Sequence, residues 1–246
     1  MSHFAVLVIG DAYEEQLAQY DETLVLDMHQ TATKEELIKK CRQSIENYKN
    51  GLYAEYLKDP EGYKAECKDN PGHLKYISET FPKKLQWTDE ECYEAVISDY
   101  RDYIADGADW CEIHDDGSLW ETTNEHVKWD WYQMGGRYRG LLKLKEPNPD
   151  APLYTGWQYG KDDAAEYERL KREGYCDRAA AGDVSNLEEV VPFAIVKDYE
   201  WYERGEMGWW AIVSNEKPED VWEREVKALL KDLPPETMLT VVDCHI

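Results

Sequence analysis

The stretch that decides the fold is FAVLVI, residues 4–9, an unbroken apolar run that ends at Gly10. Strands that are buried on both faces carry such continuous runs, whereas strands with one wet face alternate apolar and polar residues. The run therefore predicts a strand in the centre of a sheet. A glycine-rich phosphate-binding pattern does not follow it, which excludes a dinucleotide-binding fold.

The last third of the chain predicts the neighbours of this strand. Two strands around a tight turn are predicted by VVPFAIVKDYEWYERG, a third by MGWWAIV, and a closing C-terminal strand by TMLTVVDCHI. The intervening KPEDVWEREVKALLKDL has apolar residues at helical spacing and predicts a helix. Together they predict an α+β fold with a central mixed or antiparallel sheet that includes both terminal strands. Helices are expected mainly on one face of that sheet.

Residues 33–107 predict a helical insertion in a single domain that spans residues 1–246. Two helix starts carry the T-x-x-E capping box, at residues 33–36 and 88–91. In this box the threonine hydroxyl and the glutamate carboxylate satisfy each other's unpaired backbone donors. Loop and short turns are expected for residues 60–86, which contain Pro-Gly and Phe-Pro steps.

Two further segments complete the chain. A hairpin with an Asp-Gly turn is predicted by WCEIHDDGSLWETT, residues 110–123. Residues 146–163 are rich in proline, glycine and asparagine, which predicts a surface loop or a lid over a site.

Composition restricts the classes of partner. The 52 acidic and 28 basic side chains give a formal net charge of −24, which disfavours direct binding to nucleic acid or to an anionic membrane. A basic protein partner is favoured instead, and the acidic surface could imitate a polynucleotide. No apolar run approaches the roughly 20 residues that span a bilayer.

The cysteines and the N-terminus indicate a cytoplasmic protein. The six cysteines show neither the spacing of a zinc site nor that of a disulfide framework, so no metal or other cofactor is expected. The N-terminus has no basic region or small-residue cleavage site of a signal peptide. Reduced thiols are expected.

One segment inverts the acidic charge: KWDWYQMGGRYRGLLKLK, residues 128–145, has no acid after Asp130. If a strand begins at Arg137, side chains alternate between its faces. One face would carry Arg137, Arg139, Lys143 and Lys145, and the other Tyr138, Leu142 and Leu144. Gly135 and Gly136 could present open backbone N–H groups to an anion. These features suit a nucleotide-like ligand; the alternative is a bulge entering an edge strand whose charged face is simply solvated.

Two more stretches contain candidate site residues. YERGEMGWW, residues 202–210, places Arg204 between acids and puts Trp209 and Trp210 on opposite sides of a predicted strand. In the C-terminal DCHI, Asp243 and His245 share a strand face and could form an oriented base. Cys244 lies on the other face and cannot form a catalytic pair with His245.

The stretches WDWYQMGGRY, YERGEMGWW and DCHI resemble a family of uncharacterised tailed-phage and prophage proteins whose members read WDWYxxGGRW, YERGEMGWWG and DCHI. Tyr138 stands where the family pattern has tryptophan. The resemblance covers both termini and the last half of the chain. It implies a phage accessory protein in the cytoplasm of an infected bacterium, a setting in which counter-defence roles are common.

The leading hypothesis is a non-enzymatic counter-defence protein that binds and sequesters a nucleotide-derived immune signal. Its candidate ligand-binding residues are Trp129, Trp131, Tyr132, Gly135, Gly136, Arg137, Tyr138, Arg139, Arg204, Trp209, Trp210 and His245. One alternative is an acidic protein–protein inhibitor that mimics nucleic acid and blocks a bacterial defence enzyme. Another is a nucleotide hydrolase that uses Asp243 and His245. The oligomeric state is left open.

Overall fold

The computed structural model describes residues 2–156, 163–208 and 212–246. The chain forms two compact units. We call Met1–Leu24 with Asn124–Ile246 the sheet unit, and Val25–Thr123 the helical unit. The fold is α+β, as the sequence predicts, and the central sheet includes the N- and C-terminal strands.

The strands of the described residues are β1 (His3–Ile9), β2 (His29–Ala32), β3 (Cys111–Ile113), β4 (Leu119–Glu121), β5 (Trp131–Met134), β6 (Leu142–Lys143), β7 (Tyr175–Cys176), β8 (Arg178–Ala180), β9 (Ala194–Lys197), β10 (Glu200–Glu203), β11 (Glu206–Met207), β12 (Val213–Ser214) and β13 (Met238–His245). The α-helices of the same residues are α1 (Tyr13–Ala18), α2 (Lys34–Tyr48), α3 (Ala54–Lys58), α4 (Pro60–Glu66), α5 (Pro71–Lys75), α6 (Phe81–Lys84), α7 (Asp89–Ala105), α8 (Asp163–Arg172) and α9 (Glu219–Leu230). No helix within residues 2–156, 163–208 and 212–246 is long and apolar enough to cross a membrane.

The central sheet of the sheet unit has the strand order β10-β9-β1-β13-β5, with β8 pairing β13 beside β5. β1 lies at its centre, as its apolar run predicts. It is antiparallel to β13 over its whole length and parallel to β9, so the sheet is mixed. Two non-glycine residues with positive φ, Asp198 and Tyr199, form the tight turn between β9 and β10.

Both faces of the sheet are covered because the strands alternate between two apolar clusters. One cluster joins Leu7 and Val241 to Trp222 and Val226 of α9. The spacing of these helix residues places one apolar stripe of α9 against the sheet. The opposite cluster joins Phe4, Val6, Val8, Val242 and Cys244 to Leu17 and Tyr20 in and after α1, and to Trp129.

The helical unit begins its two longer helices at the predicted capping boxes. The hydroxyl of Thr33 accepts the Glu36 N–H at 3.2 Å, and Thr88 accepts that of Glu91 at the same distance. The α2 and α7 helices pack with the β3–β4 hairpin around a small core that contains Leu37, Tyr93, Ile97 and Leu119. The hairpin predicted for residues 110–123 is therefore confirmed.

The expectation of loop and short turns for residues 60–86 is wrong, because this segment contains α4, α5 and α6. The Asp59 side chain accepts the Gly62 N–H at 3.0 Å, and the Asn70 side chain accepts the His73 N–H at 3.1 Å. Pro60 and Pro71 follow as first helical residues, where a missing N–H costs nothing. Each proline was therefore the signal of a helix start.

The strand predicted from Arg137 onward is also wrong. Gly136–Tyr138 form one turn of 3-10 helix, and Gly140 has φ of +73°. Within the predicted strand, only Leu142–Lys143 form a strand, which is β6. The four basic residues therefore do not share a strand face: Arg139 is 9% exposed, whereas Arg137 lies on the surface. Leu142 and Leu144 do enter the core.

Two predicted segments lie partly outside the described residues. The described part of the 146–163 loop, residues 146–156, contains neither helix nor strand, and residues 157–162 are not described. β11 and β12 pair as a short ribbon at the flanks of the third predicted strand, MGWWAIV. Trp209 and Trp210 lie between them, outside the described residues.

Candidate functional site

Three aromatic side chains lie side by side at one end of the central sheet. In the strand register His245 is opposite both His3 of β1 and Trp131 of β5, so the three share one face. The imidazoles of His3 and His245 are 4.9 Å apart and edge-on, and the Trp131 indole stacks on His245 at 5.2 Å with 19° between the planes. His3 meets the indole edge-on at 5.3 Å.

Each imidazole is held by its own carboxylate. Nδ1 of His3 lies 2.9 Å from Oδ1 of Asp243, and Nδ1 of His245 lies 2.6 Å from Oδ1 of Asp130. We call His3, Asp130, Trp131, Asp243 and His245 the ring cluster. Asp243 and His245 share a face as the sequence predicts, but each binds a different partner and they do not form an Asp–His pair with each other.

The ring cluster combines a buried polar atom with an exposed ring. His245 is 5% exposed, and its Nε2 has no hydrogen-bond partner among the described residues. Trp131 is 41% exposed, although His245, on which it stacks, is buried. Because a carboxylate fixes the other ring nitrogen, the orientation of the imidazole under the indole is set from within the protein.

The Gly135 amide, which was predicted to bind an anion, is used inside the protein, and this corrects the expectation that it is open. The Arg137 N–H donates to Oδ2 of Asp243 at 2.9 Å, and the Gly135 N–H donates to the Val241 carbonyl at 2.9 Å. At Gly136, whose φ is +52°, an added Cβ would lie 2.4 Å from the Asp243 Cβ. Gly136 therefore lets the turn approach a buried carboxylate, and the Gly135 N–H is not open to an outside anion.

A second buried carboxylate, Asp177, holds the next part of the same turn. It accepts the Gly140 N–H at 2.5 Å and the Tyr154 N–H at 2.6 Å. Burial raises the pKa of Asp177 to about 6, while these two N–H groups and the charge of Arg139 lower it. The Arg139 guanidinium therefore compensates an internal carboxylate, although the sequence suggested a ligand phosphate.

Tyr138 and Arg137 lie beside the ring cluster. The Tyr138 hydroxyl donates to the His3 backbone carbonyl at 2.9 Å, so it holds the start of β1 beside the cluster. Burial and the charge of Asp243 raise the pKa of Tyr138, and the positive charge of Arg137 lowers it. Arg137 therefore brings a cation close to the cluster.

The remaining candidate residues lie elsewhere. Trp129 and Tyr132 pack in the cluster on the opposite sheet face, where the Trp129 indole N–H donates to the Leu17 carbonyl at 3.2 Å. Arg204 follows β10, at the opposite edge of the sheet from β5, and pairs with Glu216 at 2.5 Å. Trp209 and Trp210 are outside the described residues.

Cys244 has no catalytic environment. Its thiol is fully buried on the opposite face from His245, and burial raises its pKa well above the ordinary value. A thiol in such a site is an inert core group. Among residues 2–156, 163–208 and 212–246 no group of three or more His, Cys, Asp or Glu side chains could hold a metal ion.

Two members of the ring cluster, His3 and Asp130, were missed as candidates by sequence reasoning. A histidine at the start of a terminal apolar strand was the available signal for His3, and the acid between two tryptophans was the signal for Asp130. Neither signal indicates the hydrogen-bond partner, because Asp243 is 240 residues from His3 and His245 is 115 residues from Asp130 in the chain.

Comparison of the chain with protein-family models, with curated proteins and with solved structures finds no match.

Proposed function

We propose that the chain binds a nucleotide-derived small molecule at the ring cluster and, by holding it, removes it from solution. The observation that carries the proposal is the exposed Trp131 indole, stacked on an imidazole that Asp130 holds in place. An exposed aromatic face on a rigid support suits base stacking, which contributes about 1–3 kcal/mol per base.

The polar groups around the indole suit the rest of such a ligand. Arg137 places positive charge beside Tyr138 and thus near His3. A phosphate bound here would gain a charge-assisted interaction, which is stronger than one between neutral groups.

The setting comes from the resemblance to tailed-phage proteins. Two of the stretches that carry it, WDWYQMGGRY and DCHI, meet at the ring cluster through the pairing of β5 with β13. Sequestration of a nucleotide-derived immune signal by a phage protein in the bacterial cytoplasm accounts for both the resemblance and the exposed ring.

The test is release of a bound ligand. Protein purified from bacteria that produce cyclic-nucleotide or ADP-ribose-derived signals is denatured, and the filtrate is analysed by mass spectrometry. The same compounds are screened by thermal shift. We expect a nucleotide in the filtrate and an increase in melting temperature with that compound. An empty filtrate, together with no thermal shift across the panel, would rule the proposal out.

Two variants assign the binding to the ring cluster. Trp131→Ala should weaken binding about tenfold or more, since it removes the stacking surface. The control is Tyr199→Asn, because Tyr199 is 51% exposed at a φ of +65°, a conformation that asparagine tolerates. Equal loss in both variants would place the binding elsewhere.

A nucleotide hydrolase is the second candidate, favoured by the two carboxylate-held imidazoles. A histidine oriented in this way is a common general acid or base. If the chain is a hydrolase, we expect it to turn over the bound compound, and we expect both His3→Ala and His245→Ala to abolish that turnover. Binding without turnover in the unaltered protein would leave sequestration as the function, and turnover that survives in His245→Ala would remove the catalytic role of His245.

A further inference from the structure

The helical unit contains a cavity of about 360 Å³ that no part of the proposed function uses. It lies between α2, α6 and α7. Its lining residues are Lys40, Cys41, Ser44, Ile45, Tyr48, Tyr76, Phe81, Lys84, Trp87, Ala95 and Val96. Small-molecule sites typically have volumes of about 300–1,000 Å³, so this cavity has the size for a small ligand.

Aromatic rings form one wall of the cavity. The Tyr48 ring packs on Phe81 at 4.4 Å and on Tyr76 at 5.4 Å. The Lys84 ammonium lies 5.2 Å from the Tyr76 ring centre and 4.9 Å from that of Trp87. Contact with two rings therefore keeps a positive charge at the aromatic wall.

The charge of the lining opposes that of the chain. Two lysines, Lys40 and Lys84, line the cavity and none of its lining residues is acidic, although the chain has a formal net charge of −24. An acidic chain that keeps carboxylates out of one cavity and retains lysines there makes that cavity attractive to an anion.

The Tyr48 hydroxyl adds an unsatisfied donor next to this cavity. It is buried and has no hydrogen-bond partner within the described ranges. A tyrosine hydroxyl ordinarily keeps its proton at neutral pH, and burial raises the pKa of Tyr48 further. A buried donor without an acceptor is uncommon in folded proteins and favours a ligand that brings an acceptor.

We propose that this cavity binds a small planar anion, with one or two aromatic rings and a carboxylate, sulfonate or phosphate group. The rings of the ligand contact Phe81, Tyr76 and Trp87, and its acidic group pairs with Lys84. The cavity belongs to the helical unit and shares no residue with the ring cluster. Ligand binding in the cavity is therefore independent of the proposed function.

The test uses two fluorescent probes that differ in one charged group, with the whole protein. 6-Hydroxynaphthalene-2-sulfonate is a planar anion with two aromatic rings, and 2-naphthol is the same molecule without the sulfonate. We expect saturable binding of the sulfonate at one site. Lys84→Gln should weaken it at least about fivefold and change binding of the neutral probe less than about twofold.

Two further variants complete the design. Lys39→Gln removes an exposed charge from the same helix as Lys40 without touching the cavity lining, and it should leave both affinities unchanged. Lys84→Arg keeps the charge and should retain binding of the sulfonate, which also guards against a Lys84→Gln variant that fails to fold. Equal weakening of both probes by Lys84→Gln, an unchanged sulfonate affinity, or non-saturable binding would each overturn the proposal.

Discussion

His245 and Asp130 are joined twice across neighbouring strands. Oδ1 of Asp130 lies 2.6 Å from Nδ1 of His245, and the Asp130 N–H donates to the His245 carbonyl at 2.9 Å. The backbone bond places the carboxylate and the side-chain bond orients the imidazole, so the surface under Trp131 is rigid.

Asp130→Asn should weaken ligand binding at the ring cluster although Asp130 need not touch the ligand. The amide retains the shape of the side chain but loses its charge, so the imidazole is held less firmly and the indole loses its flat support. We expect a loss of stability of about 1–3 kcal/mol and weaker binding, measured by urea unfolding and calorimetry. Unchanged affinity in a destabilised variant would show that the imidazole does not support the binding surface.

Gly136→Ala should destabilise the protein by about 2–4 kcal/mol, because its new Cβ would lie 2.4 Å from the Asp243 Cβ. Gly136→Asn separates the two causes of the cost. Asparagine tolerates the φ of +52° but carries the same Cβ, so it should be about as destabilising as alanine. Gly72→Ala is the control, since an added Cβ meets nothing closer than 3.9 Å there. A much milder effect of asparagine would mean that the backbone angle decides the cost.

Asp177 should make folding less favourable as the pH rises. Its pKa is raised from 3.8 to about 6 by burial, so the folded state holds this proton more tightly than the unfolded state. The contribution of protonated Asp177 to the free energy of unfolding is fully present below pH 3.8, and it is lost as the pH rises through about 6. Relative to Asp177→Asn, the unaltered protein should lose about 2 kcal/mol of unfolding free energy between about pH 4 and about pH 7. Urea unfolding at both pH values measures this difference, and a constant difference would show that Asp177 titrates normally.

Cys244 and Cys176 should resist thiol reagents until the protein unfolds. Both are fully buried, and burial raises the pKa of Cys176 to about 12 and that of Cys244 well above the ordinary value. Cys67 is partly exposed and should be modified in the folded protein. We expect labelling of the two buried thiols to be at least about a hundredfold slower than that of Cys67, measured by mass spectrometry with and without denaturant. Rapid modification of folded Cys244 would contradict the inert environment assigned to it.

Local patterns predicted much of the fold, and non-local contacts explain the errors. The apolar run of β1, the stripe of α9 and both capping boxes depend on neighbours within a few residues, and each is confirmed. The strand predicted from Arg137 failed because the alternation of residues is compatible with a strand, while two buried carboxylates bind the backbone of this segment as a turn. Tertiary contacts therefore overrode the local pattern.

In the candidate site, too, the sequence indicated residue types, and tertiary contacts decided where the side chains lie. The sequence indicated Trp131, Arg137, Tyr138 and His245 by residue type, and the structure places them around one end of the central sheet. The sequence did not indicate that the Arg139 guanidinium compensates the Asp177 carboxylate, or that Trp129 enters the core on the opposite sheet face. Both depend on which sheet face receives a side chain, and that follows from the register of strands far apart in the chain.

By itself the sequence determined the α+β class, the central position of the N-terminal strand, and the starts of the two capped helices, because these depend on short-range hydrogen bonds and on apolar periodicity. Only the tertiary structure decided the partner of each buried carboxylate: His3 and the Arg137 N–H for Asp243, and the Gly140 and Tyr154 N–H groups for Asp177. A one-residue shift in register would send each strand side chain to the other face of the sheet. The ring cluster therefore exists only where the alignment of β1, β13 and β5 brings its members together.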